Sequence, residues 1–151
     1  MVRTVSARRD RRRLVAAAHA VIAGRSPALA FASKLLDRRQ RKHGWLLYAW
    51  CRACTDLIRG ADPEAGLEQI RAKTDTALNG GTVGDAPFDA LALLVRECGL
   101  PPAYPRLVVD GLARDAADFR PHDEGDLFHY CHQVAGAPAV MAAIALGGGA
   151  G

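Results

Sequence analysis

The stretch LLYAWCRACTDLIRG, residues 46–60, constrains this chain more than any other. Apolar residues return at Leu47, Trp50, Cys51, Cys54, Leu57 and Ile58, the three-and-four spacing of a helix with one buried face. Tyr48, Arg52, Thr55, Asp56 and Arg59 occupy adjoining rows of the same helix. A buried element that also carries this much polar chemistry points to a binding or catalytic site. Gly60, just past the last periodic residue, reads as a stop.

The rest of the chain repeats the helical pattern. Residues 6–23 form an amphipathic helix with Val15, Ala18, His19 and Ile22 as its apolar row and Gly24 as its stop. Ser26-Pro27 reads as an N-cap followed by a first-turn proline, starting a short helix to about residue 36. Asp37 caps the long central helix, whose exposed first turns carry Arg38, Arg39, Arg41 and Lys42 against the macrodipole. Asp62-Pro63 restarts the chain as far as residue 78. Further helices are expected over 86–98, with Gly99 as stop, from the Pro101–Pro105 loop through Asp118, and from Asp123 to about Leu146. No stretch alternates with period two long enough to make a strand. The expected class is all-α, with six or seven helices and short connections.

At 151 residues the chain is about one domain long. Residues 1–25 are expected as a basic N-terminal helix and 26–151 as the remaining domain. A net charge of +4 fits an anionic small substrate as well as nucleic acid. Arg8, Arg9, Arg11, Arg12 and Arg13 crowd the first helix without interleaved aromatics, so they read as a solvated face and nucleic acid is not expected. Four cysteines without a paired framework, and no apolar segment behind the basic N-terminus, point to a reducing, cytoplasmic setting. Residues 134–151 carry no charge, but their Ala and Gly content and Pro138 suit a buried helix better than a membrane span.

Three features invite chemistry. Cys51 and Cys54 have zinc-like spacing, yet both fall on the apolar face and lack nearby partners, so packing is expected. Asp110, Asp115 and Asp118 share one helix and could offer oxygen ligands to a divalent cation, although exposed helical aspartates are common. In YCHQVAGAPAV (130–140), Ala135, Gly136, Ala137 and Ala139 thin one side of a helix, allowing either close packing or an apolar cavity.

Together these residues resemble the squalene/phytoene synthase family, most nearly the bacterial phytoene synthases. LLYAWCRACTDLIRG is similar to the family's first acidic helix, AFASKLLD (30–37) to the segment before it, PPAYPRLVVDGLARD (101–115) to a helix ending in aspartate, and YCHQVAG (130–136) to the family's YCY-x-VAG. The resemblance runs from about Ser26 to Met141 and leaves the arginine cluster unmatched. It implies an isoprenoid synthase-like helical bundle around a deep apolar cavity, here incomplete. It also implies head-to-head condensation of two geranylgeranyl diphosphates in carotenoid biosynthesis. Mg²⁺ would bridge acidic helices and the diphosphate, and a dry wall would shield the carbocation. By this resemblance Tyr48, Arg52 and Asp56 are the catalytic candidates. Thr55, Asp56, Arg59, Asp110 and Asp115 belong to the diphosphate and metal region, and Tyr130, Val134, Ala135 and Ala139 to the prenyl cavity. The implied ligand is a prenyl diphosphate. A separate C-terminal half or a second copy of the chain, and peripheral contact with a membrane, are the other partners it suggests.

The chain departs from this pattern at its centre. Thr55 and Arg59 stand where the family has the first and last metal-binding aspartates, leaving Asp56 as the only retained carboxylate. Pro27, Ala28 and Leu29 replace a lysine, serine and phenylalanine that help hold diphosphate. The chain ends before the family's second acidic helix, so a truncated or split gene product is expected. A guanidinium about 5 Å from a divalent ion repels it by ~6–7 kcal/mol at an effective dielectric near 20, before solvent screening. The expectation is a chain inactive alone. The alternative is a non-catalytic binding or assembly protein on the same scaffold.

Overall fold

The computed structural model describes residues 2–147. Its elements are α1 (Val2–Arg25), α2 (Pro27–Ala32) with a 3₁₀ turn (Ser33–Leu35), α3 (Arg38–Ile58), α4 (Pro63–Leu78), α5 (Ala86–Cys98) and α6 (Ala103–Ala116). They are followed by α7 (Glu124–Cys131), a π turn (His132–Gly136) and α8 (Ala137–Ala145). With α7, the π turn and α8 continuous, the described residues hold seven helices and no strand, the all-α bundle expected. Residues 148–151, the end of the uncharged C-terminal segment, lie outside the described residues. No helix among the described residues is long and apolar enough to cross a membrane.

Helix α3 is the axle. Asp37 accepts from the Gln40 backbone N–H at 2.9 Å while Gln40 Oε1 accepts from the Asp37 N–H at 3.3 Å, a reciprocal capping box. Leu46, Trp50 and Cys54 are fully buried along it, with Leu47, Ala49 and Ile58 beside them. Helix α1 runs alongside in the same direction. Arg11 clasps Glu97 next to His43 at one end, His19 stacks on Trp45 midway with ring centroids 4.3 Å apart, and Arg25 meets Asp56 at the other. Val15, Ala18 and Ile22 form its buried row, and His19 is exposed apart from that stack. Phe88, Leu91 and Leu94 of α5 complete the centre with Ile70 of α4 and Met141 of α8. Each such side chain contributes roughly 1.5–3 kcal/mol of burial.

Two ends differ from the sequence reading. Helix α6 stops at Ala116, because Asp118 adopts φ +52° and the Phe119 N–H returns to the Arg114 carbonyl at 2.9 Å. That is a Schellman stop made with aspartate in place of glycine. The last helix is not regular α throughout. Pro138 has no N–H for the Val134 carbonyl and its ring would crowd that carbonyl, so the preceding turn widens to π geometry, with the Ala137 N–H reaching the His132 carbonyl.

Candidate functional site

The 3.6-residue period brings Thr55 and Arg59, four apart on α3, to one face, and that face looks onto a cavity of about 670 Å³. Cys51, Thr55, Ile58 and Arg59 line it from α3, Val108, Leu112 and Asp115 from α6, and Val134 and Pro138 from the widened last helix. Gly111 makes this approach feasible: a Cβ there would sit 3.0 Å from Gln133 Cβ and from Val134 Cγ1. The π turn and its proline thus help shape the cavity wall.

The polar groups are unequal. The Thr55 hydroxyl donates to the Cys51 carbonyl at 3.0 Å. Asp115 accepts a short hydrogen bond from the Tyr130 hydroxyl, which raises the tyrosine pKa, with burial adding to the effect. Tyr130 in turn stacks against Phe119 at 5.6 Å, so the Asp115 carboxylate is held by the element that follows α6. Arg59 is exposed at the C-terminal cap of α3 and makes no salt bridge among the described residues.

Asp56 faces elsewhere. It accepts from Arg25 at 2.8 Å, and Arg52 Nε lies 3.4 Å from the same Oδ1, an ion-pair contact without hydrogen-bond geometry. Asp110 lies about 140° around α6 from Asp115. It borders a separate 220 Å³ hollow with Arg71, Thr74, Asp75 and Arg106. Asp118 serves the helix stop. Ala135 and Ala139 are exposed and stand off the cavity lining, whereas Val134 lines it and Tyr130 braces its rim.

A second, almost wholly apolar cleft of about 470 Å³ adjoins the first through Cys51. Ile22, Leu29, Leu36, Leu47, Tyr48 and Ala142 are among its walls, with Arg41 at its edge. Tyr48 therefore belongs to this cleft. Cys54 is fully buried, and burial pushes the Cys51 thiol up to about 12, so both act as packing groups.

The donor set does not suit a divalent cation. The first cavity offers one carboxylate, already engaged by Tyr130, beside a guanidinium and a hydroxyl committed to its own helix. Among the described residues no three His, Cys, Asp or Glu side chains converge as ligands. The arrangement suits an anion with an apolar tail: a guanidinium at the mouth, a branched apolar wall behind it, and a greasy cleft next door.

Sequence spacing missed one cluster. His43, buried on α3, contacts Glu97 Oε1 through Nε2 at 3.1 Å and Cys98 Sγ through Nδ1 at 3.4 Å, while Arg11 grips Glu97 with two nitrogens. These partners are 54 and more residues apart, so no local signal joins them.

Comparison with known proteins identifies the scaffold. The squalene/phytoene synthase family profile matches residues 22–150. The chain is 37% identical over 134 residues to a 15-cis-phytoene synthase of Paracoccus sp. (strain N81106 / MBIC 01143), and 32% identical over 134 residues to one of Pantoea ananas. Each alignment covers 81% of this chain and 43% of the relative, so the chain spans less than half the length of the curated relatives it matches. A crystal structure of a dehydrosqualene synthase in complex with ligand superposes with a TM-score of 0.81 at 25% identity, over 91% of this chain and 48% of that one. The chain belongs to the squalene/phytoene synthase family.

Proposed function

We propose that this chain is the prenyl diphosphate-binding part of a phytoene synthase-like prenyltransferase, one that meets the diphosphate with Arg59 instead of a metal-bearing carboxylate. The carrying observation is that Thr55, Arg59 and Asp115 line one cavity, and that Cys51 is a wall it shares with an apolar cleft. A geranylgeranyl chain is long, branched and apolar, and its diphosphate carries about three negative charges, so head and tail each find a matching surface. The Arg59 guanidinium binds phosphate oxygens as a planar fork. Tyr130 donates to the Asp115 carboxylate and fixes it in the cavity wall, across from Arg59. Val134 and Pro138 keep water from the head of the prenyl chain. Tyr48 sits beside the tail in the cleft, and Arg52 stays with Asp56 at the outer face.

Enzymes of this kind usually use a divalent metal, which in related chains neutralises the leaving group. The residues here do not fit Mg²⁺, and Arg59 supplies charge to bound substrate and departing diphosphate alike. Equal stabilisation of both states gives affinity without rate. The chain by itself is therefore expected to bind geranylgeranyl diphosphate and not to condense it. Incubation with geranylgeranyl diphosphate and Mg²⁺, followed by chromatography of the extracted lipids, tests this. Unconsumed substrate is expected, and robust phytoene formation would contradict it.

A further inference from the structure

Two helices bring the same charge pattern to one hollow. Arg71 and Asp75 of α4 and Arg106 and Asp110 of α6 all border a space of about 220 Å³ where the two helices pack. A separation of four places each arginine and its aspartate on neighbouring turns, where an ion pair can close. On α3 the same separation does close, with Arg52 Nε 3.4 Å from Asp56 Oδ1. Here neither helix closes its own pair and no pair forms across the hollow. Among the described residues none of these four side chains makes a salt bridge.

Thr74 and Val109, both buried, complete the wall. Thr74 belongs to the buried row of α4, between Ile70 and Ala77. A threonine hydroxyl within a helix commonly bonds back to the carbonyl four residues earlier. Thr55 does so to Cys51 and Thr76 to Ala72, each at 3.0 Å. The Thr74 hydroxyl does not, and it is buried with no partner among the described residues. A buried donor left open is costly, so its place on the wall of a charged hollow points to a ligand.

The charges identify the class of that ligand. Two guanidinium and two carboxylate groups sum to no net charge. A simple anion would face Asp75 and Asp110, and a metal cation would face Arg71 and Arg106. A molecule with one anionic and one cationic end suits both. Its carboxylate meets the planar guanidinium fork, and its ammonium donates to the aspartates. At roughly 30 Å³ per water the hollow has room for about seven waters, hence for a molecule of about as many heavy atoms. A free amino acid with a short side chain has that size.

We propose that the hollow between α4 and α6 is a binding site for a small zwitterion of the α-amino-acid class, held by Arg71, Arg106, Asp75 and Asp110, with the Thr74 hydroxyl as its buried hydrogen-bond partner. The site shares no lining residue with the Arg59 cavity and does not rest on the prenyl-binding reading.

The probe is L-serine, titrated into the full chain by calorimetry up to about 10 mM, with acetate and methylammonium standing for its two halves. Serine should bind saturably, and each half at least about tenfold more weakly. R71A/R106A and D75N/D110N should each lose about tenfold or more, the ordinary contribution of hydrogen bonds to charged groups. All four side chains are exposed, so the circular dichroism of these variants should match the parent. T74V keeps the shape of the side chain and removes a hydroxyl that bonds to nothing in the chain. Its unfolding midpoint should equal the parent's or exceed it, while serine binding falls about fivefold. Absence of saturable serine binding overturns the proposal, as does acetate that binds as tightly as serine. Unchanged serine binding in either charge variant overturns it too.

Discussion

Among single residues, the proposed function rests on Arg59. It lies one turn from Thr55 and across the cavity from Asp115, and no salt bridge among the described residues spends its charge. R59A should weaken inorganic pyrophosphate binding by about 1.5–3 kcal/mol, the usual contribution of a hydrogen bond to a charged group, as measured by calorimetry. The other residue with a sharp signature is Glu97. The Arg11 hydrogen bonds hold its carboxyl below the ordinary value of 4.5, with His43 and charge attraction adding to this against partial burial. A depressed folded-state pKa stabilises the protein at pH above the unfolded value, and that stabilisation is lost as pH falls through the folded one. E97Q should therefore destabilise the chain by about 1–2 kcal/mol near neutral pH, and the gap from the parent in urea melts should narrow as the pH falls below the ordinary carboxyl value of 4.5.

Among the elements, α3 and its neighbours were the most legible from sequence, because periodicity and capping residues agree there. Asp37, Asp62, Gly99 and the apolar rows of α3 and α5 act as their spacing implies, and α1 buries Val15, Ala18 and Ile22 of its row but leaves His19 exposed. The π turn was less legible, although Pro138 is the local cause and was visible in the sequence: a helix-period pattern continues through it, and periodicity cannot register a one-residue shift in hydrogen bonding. Asp118 misled for a related reason, since an aspartate closing a helix in the left-handed region looks like one more acidic residue on that helix. Cluster geometry was the least legible. Nothing in spacing alone says that Asp115 joins Thr55 and Arg59 while Asp110 faces another hollow, nor that His43 meets Glu97. Close helix crossings depend on glycines whose role appears only in three dimensions. A Cβ at Gly66 would lie 2.2 Å from the Leu57 carbonyl oxygen, which belongs to backbone and cannot move aside alone. G66A should force α3 and α4 apart at a cost of about 2–3 kcal/mol, read as a lowered midpoint in thermal or urea unfolding.

The whole molecule combines a familiar scaffold with altered chemistry. A bundle that superposes at a TM-score of 0.81 on a dehydrosqualene synthase keeps the layout of that family. Its cavity nevertheless presents a guanidinium and a hydroxyl where magnesium would need carboxylates. Exposed apolar residues on α2, together with Leu127 and Phe128 on the last helical rod, leave faces available for a second copy or further chain. The account stands on how the first cavity takes its ligand. Titration calorimetry of geranylgeranyl diphosphate into the chain, with EDTA and then with Mg²⁺, for the parent and for R59D, measures this most directly. The parent should bind equally well in both buffers. R59D should lose most binding in EDTA and regain part of it when Mg²⁺ is added. Binding by the parent that appears only with Mg²⁺, or an R59D variant that binds in EDTA as the parent does, would contradict the account.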